Sequence, residues 1–155
     1  MILSALKTQN YASALEAAIA QLATEPDSAS LHYYAAWACD GLGQENRAIP
    51  YYEKAIALGL PKADLKEAYL GLGSTYRVTG HYQQSFDLLT RATAEFPDDK
   101  ALQVFYALAK YSMGDAKNAL RDTLLLLTST TQDDSILAFR KAIDFYAQDL
   151  DFISD

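Results

Sequence analysis

The sequence repeats itself at an interval of about 34 residues, and this periodicity constrains the fold more than any other feature. A glycine recurs at Gly43, Gly80 and Gly114, and neighbouring glycines are 37 and 34 residues apart. A small residue follows each glycine five positions later, at Ala48, Ser85 and Ala119. Apolar residues on both sides of each glycine recur at helical spacing. The pattern predicts successive pairs of helices, each pair joined by a turn that contains the glycine.

The fullest copy of the repeat lies between residues 69 and 97. Its signature residues are Leu72, Gly73, Tyr76, Gly80, Tyr82, Ser85, Ala92 and Pro97. The copy before it carries Ala35, Ala36, Gly43, Ala48, Tyr52, Ala55 and Pro61, and the copy after it carries Ala107, Gly114 and Ala119. An initial copy survives mainly as Tyr11, Ala14 and Pro26. Over roughly residues 1 to 131, the sequence resembles the tetratricopeptide repeat, a pair of antiparallel helices that stacks into a solenoid.

The resemblance implies an all-α fold and a right-handed superhelix. The expected superhelix comprises about 3.5 helix-turn-helix repeats and a C-terminal capping helix. We expect one domain over residues 1–155, with a partial repeat at 1–27, full repeats at 28–62, 63–98 and 99–131, and a capping helix at 133–152. The segment RKAIDFYA at 140–147 also resembles the last helix of small bacterial single-domain tetratricopeptide proteins, a likeness that supplies no activity.

Local signals set the expected helix boundaries. Paired helices are predicted over 2–8 and 11–24, 28–41 and 44–58, 64–79 and 82–95, and 99–113 and 116–130. The three turn glycines suit helix C-termini, where a left-handed backbone is needed. Prolines at 26, 61 and 97 stop the second helix of each repeat. Candidate N-caps are Asp27, Ser28, Asp98 and Asp99. The closest helix approaches are expected where Ala36, Gly73 and Ala107 face Ala48, Ser85 and Ala119.

The last helix is predicted over 134–151, with Asp133 or Asp134 as its cap. Its apolar residues recur at intervals of three and four, at Ile136, Phe139, Ile143, Tyr146 and Leu150. Residues 132–155 hold six acids and two bases, so most of the formal net charge of −7 lies there. We therefore expect a helix with one solvated acidic face that caps the repeats.

Composition excludes several partners and locations. Nucleic-acid binding needs a basic patch, which an acidic chain does not supply. No apolar run reaches the roughly 20 residues of a membrane span, and the N-terminus MILSALK does not read as a secretory signal. The single cysteine, Cys39, cannot form an internal disulfide. These features predict a cytoplasmic protein that binds neither nucleic acid nor membrane.

The sequence offers little catalytic or metal-binding chemistry. His32 and His81 are 49 residues apart and have no metal-ligand spacing with each other or with Cys39. We expect His32 in a surface or interface role, His81 solvated in a turn, and Cys39 buried as a small hydrophobe. The acids at 149, 151 and 155 lack the glycine and glutamate of a calcium loop, which favours a solvated tail. The prediction is a non-enzymatic protein with no cofactor and no metal.

The resemblance places the first helix of each repeat on the concave side of the solenoid. Mapped onto this sequence, the inward residues are Tyr33, Trp37, Asp40, Glu67, Leu70, Ser74, Arg77, Val104, Leu108 and Tyr111. Aromatic residues and arginine dominate interface hot spots, so this set suits a groove for a peptide or helix. The charged clamp by which some family members hold a terminal carboxylate is not matched, because Tyr33, Trp37, Gly71, Ala101 and Phe105 stand at those sites.

Each feature of this groove also has a structural explanation. Trp37 could pack against the neighbouring repeat, and Arg77 could pair with Glu67 or Asp40 as a surface ion pair. Core positions are the better interpretation for Tyr51, Tyr52 and Tyr106.

Two function hypotheses follow. The first is a protein–protein interaction module that binds a peptide or helix of a partner in its groove. The second is a structural repeat protein that homodimerises through an incompletely capped end, because the stub MILSAL would leave apolar surface unsealed.

Overall fold

The computed structural model of the protein describes residues 1–154, and helices are its only regular secondary structure in that range. The helices are α1 (Ile2–Lys7), α2 (Tyr11–Leu22), α3 (Ala29–Gly41), α4 (Glu45–Leu58), α5 (Lys62–Val78), α6 (Tyr82–Glu95), α7 (Lys100–Ser112), α8 (Ala116–Thr130), α9 (Asp134–Ala138) and α10 (Arg140–Gln148). The predicted all-α class and the alternation of helix and short turn are confirmed.

The chain divides into two compact units, Met1–Leu88 and Leu89–Asp155, and the boundary falls inside α6. In the first unit consecutive helices pack on each other from α1 to α5, and α1 and α5 also contact α3. Contact between every second helix is what stacked helix pairs produce. In the second unit α7 packs on α8, and α8 packs on α10. One domain over residues 1–155 stays a prediction.

Small residues let the helices of the first unit approach closely. Ala36 on α3 and Ala48 on α4 are both fully buried. The Ser85 hydroxyl on α6 donates to the carbonyl oxygen of Gly73 on α5, 2.7 Å away, so this predicted pair does meet. A Cβ atom added to Gly41 would lie 2.5 Å from the Tyr11 ring, which shows how closely α2 and α3 pack there.

The turns between paired helices share one geometry. As predicted, their glycines have a left-handed backbone, with φ of +68° at Gly43, +83° at Gly80 and +87° at Gly114. In each turn the next residue donates its N–H to the carbonyl five positions earlier, over 2.8 to 2.9 Å. The turn between α1 and α2 repeats this geometry with Gln9 at φ +60°. The initial partial repeat therefore has the same helix-turn-helix form as the others.

Helix ends follow the predicted signals in part. Asp99 caps α7 by accepting from the N–H of Leu102 at 2.9 Å, and Asp133 caps α9. Ser28 occupies the N-cap position of α3, but its side chain makes no capping hydrogen bond. Pro50 lies exposed inside α4, where it has no N–H to donate to the helical hydrogen bonds. No role was predicted for this proline.

The prediction of a single helix over 134–151 is wrong. The segment forms α9 and α10, which are separated at Phe139, and α10 ends at Gln148. The second helix packs on α8 through the buried Ala147, and the Thr128 hydroxyl donates to the Asp144 carboxylate at 2.6 Å. The apolar stripe is only partly covered, because Ile136, Ile143 and Leu150 are half-buried while Phe139 and Tyr146 are 67% and 52% exposed.

Candidate functional site

Three helices of the first unit meet at the Asp40 carboxylate. Asp40 lies near the end of α3 and accepts a hydrogen bond from the Tyr52 hydroxyl of α4, 2.8 Å from its Oδ2. The Thr75 Oγ1 of α5 lies 3.1 Å from its Oδ1 and also 2.8 Å from the Gly71 carbonyl oxygen. This network links the predicted groove helices α3 and α5 directly.

Burial dominates the electrostatics of this network. It raises the pKa of Asp40, although the hydrogen bonds from Tyr52 and Thr75 lower it in part. Burial likewise raises the pKa of Tyr52, and the negative charge of Asp40 raises it further. Asp40 is thus engaged by neighbouring helices rather than left open to a ligand.

The aromatic residues of α3 form a cluster. Tyr33 is only 7% exposed, and its ring centroid lies 6.1 Å from that of Trp37 and 6.3 Å from that of Tyr52. Burial raises the pKa of Tyr33, and the charges of Glu67 and Asp64 on α5 add to the effect. Trp37 packs against the core but remains partly exposed. Trp37 therefore offers a larger surface to a ligand than Tyr33 does.

The predicted residues of α5 lie along one incompletely covered stripe. Glu67 is exposed and Leu70, Ser74 and Arg77 are half-buried, whereas the residues on the opposite side of the helix are buried. Arg77 makes neither an ion pair nor a hydrogen bond within residues 1–154, and its Nε is enclosed. The alternative in which Arg77 pairs with Glu67 or Asp40 is therefore wrong.

The remaining predicted residues lie on α7, in the second unit. Val104, Leu108 and Tyr111 are 42%, 38% and 66% exposed. The structure thus brings the α3 and α5 residues together within the first unit, and α7 presents its own row of exposed apolar side chains.

A charged cluster that the sequence analysis missed joins α7 to α8. Lys110 and Arg121 both bind the Asp122 carboxylate, and the Lys110 ammonium lies 4.3 Å from the centre of the Tyr106 ring. Burial raises the pKa of Asp122, but the hydrogen bonds from the two cations outweigh it and hold the pKa below its usual range. Lys110 and Asp122 are 12 positions apart, and only the folded helix pair brings them together.

A cavity of about 420 Å³ adjoins this cluster within the second unit. Its polar lining includes Lys100, Gln103 and Asp122, and Leu125 and Leu126 supply apolar surface. Because the Asp122 carboxylate is already held by two cations, the cluster acts first as a link between the two helices.

The two histidines and the cysteine have different environments. His81 is half-buried, with its Nδ1 2.8 Å from the Thr79 Oγ1, so its ring is less solvated than predicted. The Nε2 atom of His32 lies 2.8 Å from the carbonyl oxygen of Pro26. Cys39 is fully buried, as predicted, and burial raises the pKa of its thiol. Tyr52, at 3% exposure, is a core residue as predicted.

The C-terminal acids are engaged by protein groups. Lys117 on α8 forms an ion pair with Asp151, and the Asp149 carboxylate accepts from the Asp151 N–H. The third acid of that predicted segment, Asp155, lies outside the described residues. Over residues 1–154 no group of three or more histidine, cysteine, aspartate or glutamate side chains is arranged to hold a metal ion.

The comparison with protein families agrees with this architecture. The family model for the tetratrico peptide repeat matches residues 29–150, which is most of the chain. The chain belongs to the tetratricopeptide-repeat family. Proteins of this family generally act as protein–protein interaction modules and are typically non-enzymatic scaffolds. No curated protein matches the sequence.

The tetratricopeptide-repeat match begins within the second predicted repeat, so α1 and α2 lie before it. Their assignment as a partial repeat rests on geometry, since the turn at Gln9 has the same left-handed backbone as the turn at Gly43, 34 positions later. None of the helices described is long and apolar enough to cross a membrane.

Proposed function

We propose that this protein binds a peptide or helix of a partner protein through the exposed sides of α3 and α5, and that it is not an enzyme. The observation that carries the proposal is Arg77, a half-buried guanidinium with no ion pair or hydrogen bond within residues 1–154. Trp37 supplies a partly exposed aromatic surface on the neighbouring α3. Arginine and tryptophan are the residue types that contribute most to interfaces.

The stripe on α5 indicates what kind of ligand fits. Arg77 presents a guanidinium that binds carboxylates or carbonyl oxygens. The exposed Glu67 offers the opposite charge, although its carboxylate also lies 3.6 Å from the Lys66 ammonium. The two residues are ten positions apart on the helix, a span of about 15 Å, and the apolar Leu70 lies between them. We propose a ligand with an acidic and a basic group about 15 Å apart and an apolar side chain between.

Selection from a displayed library of random peptides tests this proposal, because such a library samples every charge pattern and requires no purified partner. Each selected peptide is then labelled with a fluorescent dye, and its binding to the protein is measured by fluorescence anisotropy. We expect Arg77→Ala and Trp37→Ala each to weaken binding at least about tenfold.

The matched control is Lys62→Ala, which removes an exposed cation from the first turn of the same helix. It should leave peptide affinity unchanged, and circular dichroism should show that all three variants fold. If the selected peptides bind Arg77→Ala and Trp37→Ala as tightly as the wild type, the proposed site is wrong.

Homodimerisation is a second candidate function. The N-terminal helix covers its own part of the first unit, because Ile2 and Leu6 are 6% and 1% exposed. Apolar surface remains open at Ile19 and Leu42, each 38% exposed, and at Leu3 of the N-terminal helix, which is 39% exposed. This surface is the observation that favours a self-associating protein.

The α7 row of Val104, Leu108 and Tyr111 stays a predicted partner-binding surface, and its exposure supports that role. A cytoplasmic location and the lack of a nucleic-acid partner also stay proposals. They are supported by the acidic composition and by the single, buried cysteine.

A further inference from the structure

A groove of about 520 Å³ lies along α2, beside the turn between α3 and α4. Leu15, Ile19 and Leu42 supply its apolar lining, and Ala12 and Ala20 are exposed on the same helix. These two alanines stand one helical turn before and one helical turn after Glu16, so the helix surface on both sides of Glu16 carries only short side chains. The groove therefore combines open apolar surface with room for close contact.

Two opposite charges line this groove without pairing with each other. Glu16 lies between the two alanines on α2, and Arg47 belongs to the first turn of α4. Neither forms an ion pair within the described part of the chain, and the Arg47 guanidinium donates only to the Gln44 side chain, at 3.0 Å. Both charges are thus available to a second molecule.

We infer that a second copy of this chain docks on the groove through a two-fold axis. In such an interface the same patch meets itself, so Glu16 of each copy faces Arg47 of the other and both charges are satisfied at once. Ile19 and Leu42 of the two copies pack together between the charged pairs. The inference rests on homodimerisation, the second candidate function, and assigns the surface that carries it.

The charge pattern favours a second copy over an unrelated partner. The groove carries one acid and one base, so its complement is a surface with the same two charges in reversed order. A two-fold rotation of the groove supplies that surface without any further requirement on sequence.

Charge reversal of the full chain, followed by sedimentation velocity over a range of concentrations, tests the inference. Glu16→Arg leaves two cations in each groove and Arg47→Glu leaves two acids, so each variant repels its own kind. We expect each to raise the dimer dissociation constant at least about tenfold. Mixing the two variants restores both pairs, and the mixture should form a heterodimer with an affinity near that of the wild type.

Glu25→Arg and Lys62→Glu are the matched controls, because they reverse exposed charges outside the groove. They should dimerise like the wild type. Circular dichroism confirms that every variant folds.

The outcomes distinguish an error in the proposed dimer surface from an error in the proposal of homodimerisation. A wild-type protein that stays monomeric at every concentration overturns both the inference and homodimerisation, and leaves the groove to another protein. A dimer that persists in both reversed variants overturns this surface alone. Single variants that dissociate but do not rescue each other overturn the two-fold pairing. None of these results bears on peptide binding by Arg77 and Trp37.

Discussion

The Tyr52 hydroxyl on α4 donates to the Asp40 carboxylate on α3 across 2.8 Å, although the two residues are 12 positions apart. Thr75 on α5 reaches the same carboxylate from the following helix pair. One partly buried carboxylate therefore joins the two helices of one repeat to the first helix of the next. The stability of this junction is measurable by substitution.

Replacing Tyr52 with phenylalanine removes only the hydroxyl. The Asp40 carboxylate then loses a hydrogen-bond donor in a partly buried site, and we expect the free energy of unfolding to fall by about 2 kcal/mol. Urea denaturation measures the change. Tyr51→Phe is the control, because the neighbouring hydroxyl makes no hydrogen bond within residues 1–154 and its loss should cost less than about 0.5 kcal/mol. Equal effects in the two variants would contradict the prediction.

The raised pKa of Asp40 predicts a pH dependence. Because the folded state binds this proton more tightly than the unfolded chain does, the Asp40 contribution to stability is fully present below the unfolded pKa of 3.8. It is lost as pH rises through the higher folded pKa. Asp40→Asn cannot titrate, and its amide can still accept from Tyr52. We expect its stability relative to the wild type to increase with pH over this window, as measured by urea denaturation. A constant difference would show that Asp40 is not perturbed.

Gly71→Ala should lower stability, contrary to the general helix preference for alanine. A Cβ atom at Gly71 would overlap the Tyr52 hydroxyl and lie 2.7 Å from its Cζ. We expect a loss of about 1–3 kcal/mol in place of the gain of about 1 kcal/mol that alanine gives in an open helix. In the Tyr52→Phe background the loss should shrink, because the nearest atom is gone. A net gain in the wild-type background would refute the close approach of α4 and α5.

Gln9→Gly should raise stability. Gln9 has φ of +60°, a conformation that costs an ordinary residue about 1 kcal/mol and glycine almost nothing. We expect a gain of up to about 1 kcal/mol, visible as a higher melting temperature. Thr8→Gly is the control at the preceding position, where φ is −92° and the hydroxyl bonds to the Ser4 carbonyl oxygen. Thr8→Gly should be less stable than the wild type. A gain of stability in both Gln9→Gly and Thr8→Gly would contradict the turn geometry.

The sequence predicted most of the fold because the repeat marks its turns with residues of restricted conformation. Gly43, Gly80 and Gly114 identified three left-handed turns, and the same geometry at Gln9 escaped notice because glutamine does not signal it. The break at Phe139 was also missed, since an apolar period continues across it while the packing of Ala147 on α8 decides which face is buried.

The candidate site was less predictable than the fold. Helical spacing could place Asp40 and Arg77 on first helices of neighbouring repeats, but it could not show which one has partners. Asp40 is held by residues 12 and 35 positions away, whereas Arg77 has neither an ion pair nor a hydrogen bond among residues 1–154. Such long-range contacts depend on how the helices pack, and a local sequence pattern carries no information on them.

Cys39 gives this protein an internal reporter of its own motions. The thiol is wholly enclosed on α3, and the chain has no second cysteine to compete for a reagent. A thiol-modifying dye can react only when the packing around α3 opens, so its labelling rate measures how often that opening occurs. Comparing this rate with global unfolding would show whether the first unit opens by itself or only when the entire chain unfolds.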